Sequence, residues 1–75
     1  MKLLVITAYA LPSCYYYSYE VQAVIVNEEN EEDQEELDCL PVPDAQAAFE
    51  VARDFIQKYR DKADDVWERL PDYDF

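Results

Sequence analysis

The sequence contains neither glycine nor histidine. Without histidine there is no imidazole to serve as general base near neutral pH, no Ser-His-Asp or Cys-His arrangement and no imidazole metal ligand. Without glycine there is no bare-backbone loop to cradle a phosphate and no dinucleotide fingerprint, and turns must be built from Pro, Asn, Asp and Ser. Two cysteines, Cys14 and Cys39, are too few for a four-thiolate zinc site or a disulfide framework. They are expected as free thiols in a reducing cytosol, with a single bridge open to them if they lie on neighbouring strands. Bases are scarce, six against 18 acids, so the positive groove that holds nucleic acid directly is lacking. No stretch reaches the about 20 apolar residues of a membrane span. Lys2 followed by the apolar run 3–11 imitates a signal peptide, but it leads into Pro12, Ser13 and tyrosines instead of a small-residue cleavage site, and reads as a strand.

What the chain does contain is apolar, aromatic and acidic. With 51% hydrophobic residues and 15% aromatics it is too rich for a disordered acidic tail, although the net charge of -12 pulls that way. Its 75 residues make one domain, 1–75, which buries about 60% of the surface its unfolded form exposes. The charge is segregated: residues 1–27 are neutral, 28–44 carry -9 and 45–75 carry -3. A local negative field of this kind repels nucleic acid and anionic membrane and attracts basic surfaces.

Lys2 to Ala10 is apolar on both alternating faces, Leu3, Val5 and Tyr9 on one and Leu4, Ile6 and Ala8 on the other, which suits the middle of a sheet or a covered edge. After a turn at 11–13, Cys14 to Val26 predicts a second strand. Its odd positions, Tyr15, Tyr17, Tyr19, Val21, Ala23 and Ile25, are an apolar series, and Tyr16, Ser18, Glu20 and Gln22 alternate with them on a wet face. Tyr16 is therefore expected to be exposed.

The run Asn27 to Asp38 holds eight acids and no base. Its pattern fits a solvated loop, a short helix or a hairpin tip, and a third strand is predicted from about Glu35 through Val42, confined to an edge by Pro41 and Pro43. Asp44 is a strong N-cap, and Ala45, Ala48, Phe49, Ala52, Phe55, Ile56, Tyr59 and Ala63 form one helical stripe. Phe49, Phe55, Ile56 and Tyr59 are expected to pack on Val5, Tyr17, Val21 and Ile25, and Asp54 to pair with Lys58 four residues on. Beyond Lys62, either one helix runs to about Arg69 or a break at Asp64 and Asp65 opens a short second helix, which Pro71 ends. The expected fold is α+β: a three-stranded antiparallel sheet with one main amphipathic helix on a face (βββα), with or without a short second helix.

Carboxylate pairs do acid/base work only when one sits in a dry pocket, which a chain this small does not readily build, so no enzyme activity and no cofactor are expected. The acid run lacks the alternating ligands and central glycine of a calcium loop, so no dedicated metal site is expected either. The expected role is protein binding. Its surface comprises Glu28, Glu29, Glu31, Glu32, Asp33, Glu35, Glu36 and Asp38, with Tyr16 as an aromatic anchor beside Glu20. Extended, the run places one charge per ~4.6 Å; folded back as a hairpin tip it reaches one per ~2.3 Å, which approaches the ~1.7 Å of duplex DNA. Asp44, Asp61, Asp64, Asp65, Glu68, Asp72 and Asp74 would widen the field if the C-terminal segment lies beside it. The plainer reading is a solvated run that confers solubility.

In its length, the Asn27 to Asp38 run, the strand opening at Met1 to Ala10 and the amphipathic segment Asp44 to Lys62, the chain resembles the small acidic inhibitors of host defence encoded by phages and mobile elements, among them anti-CRISPR proteins and DNA mimics. The resemblance is of class and rests on no specific motif. It implies a stoichiometric inhibitor in the host cytoplasm that occupies the Lys/Arg surface where a nuclease or guide-RNA complex holds nucleic acid. Bacterial nuclease immunity proteins are similar in size and charge, and an immunity or antitoxin-like protein, or an acidic regulatory or structural module without mimicry, are the competing expectations.

Overall fold

Among the described residues, four strands and one long helix are laid down in the order β1 (Lys2–Ala10), β2 (Tyr19–Asn27), β3 (Asn30–Val42), α1 (Ala45–Tyr59), a 3-10 turn (Arg60–Lys62) and β4 (Asp65–Arg69). The structure is a computed structural model; it describes residues 1–12 and 16–70, without the side chain of Glu31. The fold is α+β, and the sheet is four-stranded and mixed, in the order β3-β2-β1-β4. The pairs β1–β2 and β2–β3 are antiparallel, whereas β1–β4 is parallel. β1, the strand with two apolar faces, lies inside the sheet as its pattern requires.

One face of the sheet carries the core. Leu4 and Ile6 of β1, Val21, Ala23 and Ile25 of β2 and Val42 of β3 are buried against Ala48, Ala52 and Phe55 of α1. The two alanines let the helix axis approach the sheet closely, and Phe55 fills the space between. The helix starts where expected, with the Ala47 amide donating to Asp44 Oδ1 at 2.8 Å. It ends at Tyr59, short of Lys62, and Lys58 pairs with Asp38 at 3.7 Å instead of with Asp54.

Several expectations need correcting. β2 begins at Tyr19, not Cys14, so Tyr17 is not in a strand and is 46% exposed, while Tyr16 is fully exposed as expected. Cys14 and Tyr15 lie outside the described residues. Val5 points away from the helix, because Leu4 and Ile6 take the helix side, and Phe49 is half-buried instead of central. β3 begins at Asn30, five residues earlier than predicted, so most of the acid run is strand. It lies at the sheet edge, where Pro41 is tolerated.

The segment expected as helix around Val66 and Trp67 is β4, which makes the sheet four-stranded and mixed instead of three-stranded and antiparallel. Asp64 and Asp65 do mark the break. The Asp64 amide donates to Lys2 O at 2.8 Å and Asp64 Oδ2 accepts from the Lys2 amide at 2.8 Å, fixing the new strand at the start of β1. Val66 then turns to the core and Trp67 to the other face.

Candidate protein-binding surfaces

The β2–β3 hairpin has to turn without glycine, and no described residue takes a positive φ. Two-residue hairpin turns that match strand twist need positive φ; Glu28 and Glu29 make the two-residue turn between paired Asn27 and Asn30 without it, so the flanking strands cannot keep a regular ladder. The ladder breaks twice. Asn27 pairs with Asn30, but its neighbour Val26 pairs with Gln34, so Glu31, Glu32 and Asp33 stand outside the pairing; a second shift leaves Leu37 as an extra residue between Glu36 and Asp38. Asparagine side chains hold the bend: Asn27 Oδ1 accepts the Glu29 amide at 3.0 Å and Asn30 Oδ1 the Glu32 amide at 3.2 Å. The N-terminal strand braces it, with the Glu28 amide donating to Met1 O at 3.0 Å.

These irregularities crowd the acids. The eight from Glu28 to Asp38 lie alongside only the four strand steps from Ala23 to Asn27 and the turn. At ~3.3 Å per step and ~4 Å for the turn this is roughly 17 Å, or one acid per ~2.1 Å. Among the run's described side chains, only two have a cationic group within ion-pair distance: Glu29, 4.0 Å from the N-terminal ammonium, and Asp38, 3.7 Å from Lys58. Glu28, Glu29, Glu32, Asp33, Glu35 and Glu36 are all exposed.

Asp38, Glu20 and Tyr16 are set apart from this group. The second bulge turns Asp38 to the helix side, where it accepts the Tyr59 hydroxyl at 3.0 Å. That bond, the Cys39 amide and the Lys58 charge hold its carboxyl below the ordinary value of 3.8. Glu20 is half-buried on the opposite face and accepts a hydrogen bond from the Cys39 thiol. Burial first, then this bond and the charges of Glu20, Glu36 and Asp38, push the thiol up to about 12. Cys39 is a free, protonated cysteine. Tyr16 precedes β2, a strand of nine residues, and is therefore more than about 25 Å from the hairpin tip at the strand's other end. It stands at the end of β2 opposite the hairpin turn.

A second surface was missed in the sequence. Leu3, Val5, Val24, Val26 and the half-exposed Trp67 face away from the helix and floor a shallow trough of ≈ 630 Å³. Tyr9, Thr7 and Arg69 close one end, and Glu28, Gln34 and Glu36 rim the side toward β3. The signal was present in Val24 and Val26, which are apolar at even positions of a face otherwise polar, and in the second apolar face of β1.

Among the described residues no group of three or more acids and thiols is arranged to hold a metal ion, and no helix is long and apolar enough to cross a membrane. The chain matches no family model, no curated protein and no solved structure.

Proposed function

We propose that this protein is a stoichiometric, protein-binding inhibitor whose acidic β2–β3 hairpin occupies a Lys/Arg-rich surface of a nucleic-acid-binding protein, such as a nuclease or a guide-RNA effector complex, in the cytoplasm. The observation that carries the reading is the linear charge of the hairpin, one acid per ~2.1 Å against ~1.7 Å for duplex DNA, on side chains largely without internal cations. A basic surface shaped for phosphates finds a comparable charge there, and once covered it is closed to nucleic acid. Desolvation limits the affinity such charges add, so their main effects are on the association rate and on the choice of partner.

A second reading is favoured by the position of β3. It is a 13-residue edge strand, and charge on an exposed edge prevents pairing with another chain. In that reading the acids protect the fold and bind nothing. Affinity capture from host lysate distinguishes the two, using the parent and the variant Glu32→Gln/Asp33→Asn/Glu35→Gln. Inhibition by charge predicts a basic partner that is captured by the parent, released by added duplex DNA or RNA, and lost with the amide variant. A partner retained equally by the amide variant, or indifferent to nucleic acid, removes the mimicry.

A further inference from the structure

A sheet with one face under a helix and the other face apolar lacks a layer. A largely antiparallel sheet can leave one face in water, but that face is then polar, and an apolar one calls for a cover. Here α1 covers Leu4, Ile6, Val21, Ala23 and Ile25, whereas Val5, Val24, Val26 and Trp67 on the reverse have no layer over them among the described residues. Trp67 is 53% exposed, with Arg69 stacked 5.8 Å from its ring centroid.

We infer that the reverse face of the sheet is a docking trough for an amphipathic basic helix of a partner protein, with Trp67 and Val24 meeting its apolar stripe and Glu28 and Glu36 meeting its lysines or arginines. The inference takes the sign of the partner's charge from the reading above and assigns it the reverse face of the sheet, which shares Glu28 and Glu36 with the hairpin.

Three observations select this occupant. The rim is acidic on the β3 side, with Glu28 and Glu36 beside the apolar floor and Glu20 further along the same face, so the complement is apolar in the middle and basic on the flank. A second copy of this chain is disfavoured, because each copy carries -12 and two such faces would bring the same acids together. The dimensions also suit a helix. From Leu3 to Tyr9 the trough runs six strand steps, about 20 Å, which is the length of about 13 helical residues; two strand spacings of ~4.8 Å match a helix diameter of ~10 Å. An added strand would instead go to an edge, where backbone groups are free.

Trp67 is the sole tryptophan, so its emission reports occupation of the trough directly. The probe is a synthetic Leu/Lys amphipathic peptide of about 14 residues, compared with a scrambled peptide of the same composition and with a Leu/Glu counterpart. On the parent, the Leu/Lys helix is expected to shift Trp67 emission to the blue in a saturable way, whereas the scrambled and acidic peptides do not. Val5→Thr/Val24→Thr keeps β-branched strand formers and should bind about tenfold more weakly. Glu28→Gln/Glu36→Gln should bind more weakly with less dependence on salt. Glu32→Gln/Asp33→Asn/Glu35→Gln, none of which lines the trough, should bind the peptide nearly as the parent does, so failure of the hairpin reading and failure of the trough are separable. The inference is overturned if the peptide binds without moving the emission, if the scrambled or acidic peptide binds as tightly, if the threonine pair binds like the parent, or if emission shifts with protein concentration alone.

Discussion

Adjacent residues of β1 should differ sharply in what they contribute to stability, because Ile6 is fully buried beneath α1 while Val5 is half-buried on the reverse face. Truncating Ile6 to alanine removes three carbons from a closed core that includes Val21, Ala23 and Phe55. The expected loss is about 3 kcal/mol, within the 2–5 range for such sites. Truncating Val5 removes two carbons that already meet solvent in the trough, for a loss of about 1 kcal/mol. A chain of this size has a total stability of roughly 4–11 kcal/mol, so the first change takes away a large share of it and the second a small one. Urea unfolding followed by far-ultraviolet circular dichroism reads the difference without relying on Trp67, which neighbours Val5 across β4. With an m-value of about 1 kcal/mol/M, the midpoint should fall by about 3 M for Ile6→Ala and about 1 M for Val5→Ala. Equal shifts would mean that the reverse face is covered in the free protein, and both the register of β1 and the exposed trough would have to be abandoned.

Added salt should raise the melting temperature of the free protein, because it screens repulsion among the crowded hairpin acids; a fall from low salt to about 0.15 M would refute the crowding. Asp38 should titrate below 3.8, and Tyr59→Phe, which removes the largest cause of the shift while keeping the ring near Phe55, should move it upward when followed by carboxyl NMR. Since a depressed carboxyl stabilises the fold above its unfolded pKa and ceases to as pH falls through its folded pKa, the stability difference between parent and Tyr59→Phe should be present at neutral pH and shrink as pH falls from about 4 through the folded pKa. Cys39 should resist iodoacetamide at neutral pH in peptide-resolved mass spectrometry, and Glu20→Gln should speed its alkylation modestly, because burial remains the larger cause of its raised pKa.

The elements that were legible in the sequence are those set by local rules. A short carboxylate after a proline caps α1 at Asp44, a step of three and four places Ala48, Ala52 and Phe55 on one stripe, and alternation places Val21, Ala23 and Ile25 on one face. Doubly apolar β1 belongs inside a sheet, and Pro41 restricts its strand to an edge. The acid run was evident from composition alone. Its two bulges were not, because a register shift is a relation between strands and leaves no mark in either one by itself. They matter most for the charge density, which depends on how many residues of β3 face each residue of β2. The segment Asp65 to Arg69 is too short for periodicity to distinguish helix from strand, and its state was decided by the free edge of β1 and by Asp64 bonding across 62 residues to Lys2. Tyr17 fits a strand by propensity, yet β2 ends its pairing at Tyr19, where Val42 and Ala10 end theirs. Which apolar face of β1 receives α1 is likewise a tertiary outcome: either face of that strand is apolar enough, and the helix takes the one continued by Val21, Ala23 and Ile25, leaving Val5, Val24, Val26 and Trp67 on the other.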